Sequence, residues 1–130
     1  MKTNLLLTLA ITLTISITSC KTEDTDTNPP VITLTTPVSE QDYAIGDTIF
    51  IQGDVTDNEA LHELMIMLHK QETGEVVMHY TPVVHDMESF HIDTFFVPTD
   101  AVHIHYHLKV EAWDHDNNKA ELEYTLHWAD

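Results

Sequence analysis

The chain has 130 residues, 22 carboxylates, ten histidines, five lysines and no arginine, a formal charge of −17. Such a surface repels phosphate backbones and anionic lipid headgroups, so nucleic acid is excluded as a ligand and cations are favoured. A chain of this length builds one domain with a modest core, and a single cysteine, Cys20, rules out an intramolecular disulfide.

The first nineteen residues read as a targeting segment. Met1 to Asn4 is a short basic start, and Leu5 to Ile17 is an apolar run too short for a comfortable membrane span. Ile17-Thr18-Ser19-Cys20 resembles the lipobox of bacterial lipoproteins. That resemblance implies cleavage before Cys20, a diacylglycerol on its sulfur and, in most members, a third acyl chain on its amine. Two or three chains anchor a protein stably without a transmembrane helix, each buried CH₂ contributing about 0.8 kcal/mol. Lys21 to Asp24 with Asp26 makes an acidic stretch like the surface-export signal of Bacteroidota lipoproteins, which places the chain at the outer membrane, on its surface or its periplasmic face. The mature chain, residues 20–130, carries four lysines against 22 carboxylates. The acidic field predicts raised histidine pKa values.

Residues 20–30 follow as the lipidated cysteine and a polar, disordered tether, because Thr22 to Pro30 has no apolar residue. From residue 31 to residue 130 the pattern is short strands between turn residues. Strands are predicted at Val31–Thr36, Thr48–Val55, Leu61–His69, Val76–Tyr80, Phe90–Val97, Val102–Trp113 and Lys119–Trp128. Tyr43–Asp47 and Asp114–Asn118 read as turns, and Asp57–Ala60 as a loop. Seven strands in about 100 residues predict an all-β, immunoglobulin-like sandwich of antiparallel strands. Gly53 to Leu61 resembles the passage between the second and third strands of bacterial Ig-like domains. Tyr106 to Asn118 resembles their penultimate strand and last hairpin turn, with Asn117 where glycine is usual. The whole chain is similar to small histidine-rich Ig-like lipoproteins of Bacteroidota, a resemblance that specifies a fold and not an activity.

His103-Ile104-His105-Tyr106-His107 puts three imidazoles on one face of a strand. Under Ig-like topology, His127 of the last strand comes opposite His105 or His107, and His69 of the third strand approaches His103 and His105. His69, His103, His105, His107 and His127 thus form a candidate metal patch, with His79 at its rim. Imidazole suits zinc and copper, and Met65, Met67 and Met78 nearby suit Cu(I). The same row is also compatible with a plain solvated face or a group that protonates together. A second constellation, Asp57 in one loop with Asp114 and Asp116 in the other, falls at one end of the sandwich and is a candidate calcium site.

No nucleophile elbow and no His-Glu-x-x-His helix is present, so an enzyme is not expected. Two functions follow. One is a lipid-anchored envelope protein that binds zinc or copper through the outward histidines. The other is a non-catalytic module that contacts an envelope protein or a glycan.

Overall fold

A computed structural model describes residues 25–129. The lipobox, Cys20 and Asp130 lie outside the described residues. Seven strands follow in chain order: β1 Val31–Thr36, β2 Gln41–Ala44, β3 Ile49–Lys70, β4 Val76–Tyr80, β5 Met87–Phe96, β6 Ile104–Asp114 and β7 Lys119–Ala129. No helix is present among the described residues, and the architecture is an Ig-like β-sandwich built from one curled, mixed sheet.

The hinge of the fold is β3, 22 residues long. Its first half pairs with β1 and β5, and its second half with β4 and β6. One strand therefore belongs to both layers and turns the corner between them, as strands in curled sheets do through bulges. The pairing of β3 with β5 slips between Thr56 and Leu61, and its pairing with β6 slips between Leu61 and Glu63. The loop predicted at Asp57–Ala60 is thus extended chain. Asp, Asn and Glu there read as turn formers, but the backbone stays in the strand: Asn58 Nδ2 reaches Asp26, while Asp57 Oδ1 accepts locally from Glu59 N at 3.0 Å.

β2 corrects a second expectation. Gln41 to Ala44 pairs parallel to β7, Gln41 facing Leu126 and Ala44 facing Ala129. The turn follows it: Asp47 N donates to Ala44 O at 3.0 Å, Ala44 N to Asp47 Oδ2 at 2.9 Å, and Gly46 takes φ 99°. The chain thus leaves β1 in one layer and becomes an edge strand of the other, so the sandwich is mixed rather than wholly antiparallel.

The core follows from period-two alternation. Leu64, Ile66 and Leu68 of β3 point inward with Tyr106, Leu108, Val110 and Ala112 of β6 and Leu126 and Trp128 of β7. Ile49, Ile51, Val55 and Ile92 close it from the other layer. Gly53 is required by close approach: a Cβ there would lie 2.2 Å from Thr33 O and 2.7 Å from Leu34 Cα, both backbone atoms of β1.

At one end a half-buried polar clamp on Asp100 joins β3, β6 and β7. Asp100 accepts from Tyr106 Oη at 2.6 Å and Lys70 Nζ at 2.8 Å, while its carbonyl accepts from Trp128 Nε1 at 3.1 Å. Lys70 first, then Tyr106, holds the Asp100 carboxyl below the ordinary range. A carboxyl depressed in the folded state stabilises above its unfolded pKa and loses that contribution as pH falls through the folded value. The expected outcome is melting that becomes pH-sensitive below about pH 4, with Asp100→Ala less stable at neutral pH and flatter in that acid window. Parallel pH–Tm curves for the two proteins would refute the assignment.

Candidate functional site

Three clusters of ligating side chains emerge. The first is the outward face of β3, β6 and β7. Register sets His69 opposite His107 and His105 opposite His127. His107 Nδ1 and His69 Nε2 lie 3.2 Å apart, and His103 Nε2 and His105 Nε2 lie 3.3 Å apart. His105 and His127 rings are 5.0 Å apart between centroids. The expectation that His69 meets His103 and His105 is corrected: one residue pair further along β6, it meets His107. The patch therefore divides. His69 and His107 form one pair, and His103, His105 and His127 form a row beside it. Among the described residues, no three of these imidazoles offer nitrogens that all lie within 4.8 Å of one another.

Carboxylates bracket the row. Glu72 Oε1 is 2.9 Å from His105 Nδ1 and also accepts from His105 N at 3.0 Å, and Glu40 Oε2 is 2.8 Å from His127 Nε2. The His105 backbone amide holds the Glu72 carboxyl below its ordinary range. His69 departs from the predicted raised values. Partial burial and the neighbouring His107 push its pKa down against the pull of Glu123. Further along, Lys109 and Lys119 tie Glu111 and Glu121, so that half of the face is saturated with ion pairs. His79, expected at the rim, faces Met67 across the β3–β4 pair.

The second cluster is acidic and lies at the opposite end of β6. Asp26, Asp57 and Asp114 offer carboxylate oxygens within 4.8 Å of one another. Asp114 is 2% exposed and Asp26 8%. Asp57 Oδ2 is buried without a hydrogen-bond partner. A cleft of about 40 Å³ opens here, lined by Asp26, Glu59, Ala60, Asp114, His115 and Asp116. Asn58 Nδ2 donates to Asp26 Oδ2 at 2.9 Å, and Asn118 Nδ2 to Asp114 Oδ2 at 2.6 Å and to Asp26 O at 2.9 Å. The lysines among the described residues form their ion pairs elsewhere. The structure brings the predicted Asp57 and Asp114 together. Asp116 stays exposed at the rim, where its Oδ2 accepts from Asp26 N at 2.9 Å.

Asp26 corrects the sequence reading, which placed it in a disordered tether. It docks into the cleft through the contacts above, and Asn28 N caps its Oδ1 at 2.9 Å. The Asn28 amide, with Asn58, holds its carboxyl below the ordinary range. No apolar signal marks residues 25–30, so only the tertiary contact reveals the docking.

The third cluster was not predicted. His62 of β3, His85 of the β4–β5 connection and His115 of the β6–β7 turn offer nitrogens within 4.8 Å of one another. Their ring centroids are 4.6 to 5.2 Å apart. Asp86 joins them, Oδ2 at 3.0 Å from His85 Nδ1 and Oδ1 at 3.0 Å from His115 Nε2. These residues stand far apart in the chain and share no periodicity. The Ig-like rule that its end loops cluster would bring His62 toward His115, but nothing in the sequence points to His85.

Comparison with known proteins adds the lineage. A crystal structure of an engineered protein, Northeast Structural Genomics Consortium target OR128, resembles the chain with TM-score 0.53 at 13% identity. The match covers 78% of this chain and 20% of that one, so the chain spans a fifth of its length and the likeness speaks to fold alone. No curated protein matches the chain. A family model described as a domain of unknown function, DUF4625, matches residues 18–128, and the chain belongs to that family.

Proposed function

We propose that this chain is a lipid-anchored, non-catalytic Ig-like module of the cell envelope that binds a divalent cation, Ca²⁺ by preference, at the pole from which its anchor emerges. The observation that carries the reading is the acidic cleft. Three carboxylates, two of them nine-tenths buried, bring oxygens within 4.8 Å of one another, Asp26 and Asp114 line a cleft of ion size, and a buried oxygen of Asp57 has no partner. Buried like charges at such spacing are costly unless a cation neutralises them. Carboxylate oxygens with room beside them for water match the flexible, oxygen-only shell of Ca²⁺.

The cation would do mechanical work. Asp26 comes from the segment after the anchor, Asp57 from the corner of β3, and Asp114 from the end of β6. One ion would join the three and fix how the domain leaves the membrane. Five residues lie between Cys20 and Asp26, a reach of about 20 Å over six chain steps. The anchor itself rests on the lipobox resemblance. Cys20→Ser is expected to move the protein from the membrane to the soluble fraction; retention in the membrane would overturn this part.

Calorimetric titration of chelator-stripped protein with Ca²⁺ tests the cation site. One site per chain, lost in Asp57→Asn, supports the reading, and no saturable heat sinks it. A second reading is zinc or copper at the outward histidines. It draws on the two imidazole pairs, whose 3.2 and 3.3 Å separations match the edge of a tetrahedron with arms of about 2.0–2.1 Å. Two nitrogens per pair make that a weak, exchangeable contact, and zinc binding that survives loss of His69 and His107 with His103 and His105 would remove it.

A further inference from the structure

We propose that His62, His85 and His115 form a second, independent metal site, selective for an imidazole-preferring transition ion of the zinc type and built from three separate parts of the fold. It does not depend on the acidic cleft holding Ca²⁺, since its ligands are nitrogens.

Each histidine is placed by a local irregularity. The β3–β6 ladder pairs Leu61 with Asp114 and Glu63 with Trp113, so His62 is the extra residue of a bulge. Bulges re-aim a side chain away from the regular alternation. His85 occupies a turn closed by Met87 N donating to Val84 O at 3.0 Å. The next residue, Asp86, takes φ 66°, unusual for a residue with a side chain. Asp86 N donates to Leu61 O at 3.0 Å, which straps this turn to β3 immediately before His62. His115 opens the β6–β7 turn, whose Asn117 also has φ 66° and whose Asp114 and Asn118 are bonded across it.

The chemistry of the cluster is that of a metal site. Three imidazoles within 4.8 Å repel one another when protonated and share a cation when neutral. Asp86 lies against a ring nitrogen of both His85 and His115, the carboxylate–histidine arrangement that fixes ring orientation around a bound metal. Glu59, Asp114 and Asp116 nearby add a negative field. A hard ion prefers oxygen, whereas neutral imidazole favours zinc, copper or nickel. All three rings are exposed, so a tetrahedral ion would keep a fourth position for water or an incoming ligand. Such a site takes up and releases its ion; it does not bury it.

The test uses the full chain in detergent, stripped of metal and held in saturating Ca²⁺, titrated with Zn²⁺ against a chromophoric chelator. One Zn²⁺ per chain is expected. His62→Ala, His85→Ala and His115→Ala should each weaken it by at least about 10-fold, and Asp86→Asn by roughly 10-fold. His69→Ala with His107→Ala, and His103→Ala with His105→Ala, should leave it within about 2-fold. Asp57→Asn, which removes the Ca²⁺ site, should leave zinc affinity unchanged. Metal-free melting of the His62, His85 and His115 variants should match the parent, because these three rings are exposed. Absence of a stoichiometric site, loss of zinc with the outward-face variants alone, or loss with Asp57→Asn would each overturn the proposal.

Discussion

Saturating Ca²⁺ should raise the melting temperature of the chelator-stripped protein by roughly 10–20 °C, and Asp57→Asn should cancel the rise. A ligand at a hundred times its Kd stabilises the folded state by about 2.7 kcal/mol. For a domain near 100 residues each kcal/mol moves Tm by about 4–8 °C. The substitution has a second signature. Without metal, Asp26, Asp57 and Asp114 repel across less than 4.8 Å, so removing one charge should make the metal-free variant melt above the metal-free parent. With Ca²⁺ the order reverses. That crossing separates a cation site from a merely acidic surface, where Asp57→Asn would shift both curves alike. Mg²⁺ should do less than Ca²⁺, because it demands a stricter octahedron and gives up water reluctantly. Melting that ignores Ca²⁺ would leave the buried Asp57 oxygen without its explanation.

Trp128→Ala should be the most damaging single substitution at the other end of the domain, at about 3–5 kcal/mol. Trp128 is fully buried, its ring meets Tyr106 edge-on at 6.3 Å, and its Nε1 holds the Asp100 carbonyl at 3.1 Å. It also faces Tyr43 across the parallel β2–β7 pair. Truncation leaves a large cavity and orphans a half-buried carbonyl together. Typical domains have about 5–15 kcal/mol of total stability, so a fall in Tm of roughly 20 °C is expected by calorimetry. Trp128→Phe keeps most of the packing and loses the donor, so it should fall between parent and Ala. A variant that melts within a few degrees of the parent would show that β7 is not part of the cooperative core.

Local pattern carried the layers of the fold, because a buried face writes a period of two into the chain. Leu64, Ile66 and Leu68, and Tyr106 to Ala112, alternate so regularly that their inward faces need no structure to be read. The same alternation set the outward imidazoles of β6 and narrowed the partner of His127 to His105 or His107, of which the register takes His105. It failed where one residue of slip matters. Which histidine faces His69 depends on register, and register depends on the bulge at His62. β2 was missed because four residues pairing parallel to a distant edge leave no local signature. The corner of β3 was missed because Asp57, Asn58 and Glu59 look like turn formers, although Asn58 is spent on Asp26.

By itself the chain determined an acidic, histidine-rich, all-β domain and the resemblance of its first twenty residues to a lipid anchor. Tertiary structure alone decided which ligands converge. Asp26 meets Asp57 and Asp114 across 31 and 88 residues of chain, and His62, His85 and His115 meet across three different elements. A ligand set is a set of distances between side chains, and periodicity fixes only the face on which each one stands. The distances come from bulges, turns and strand crossings, whose positions are settled by packing of the whole domain.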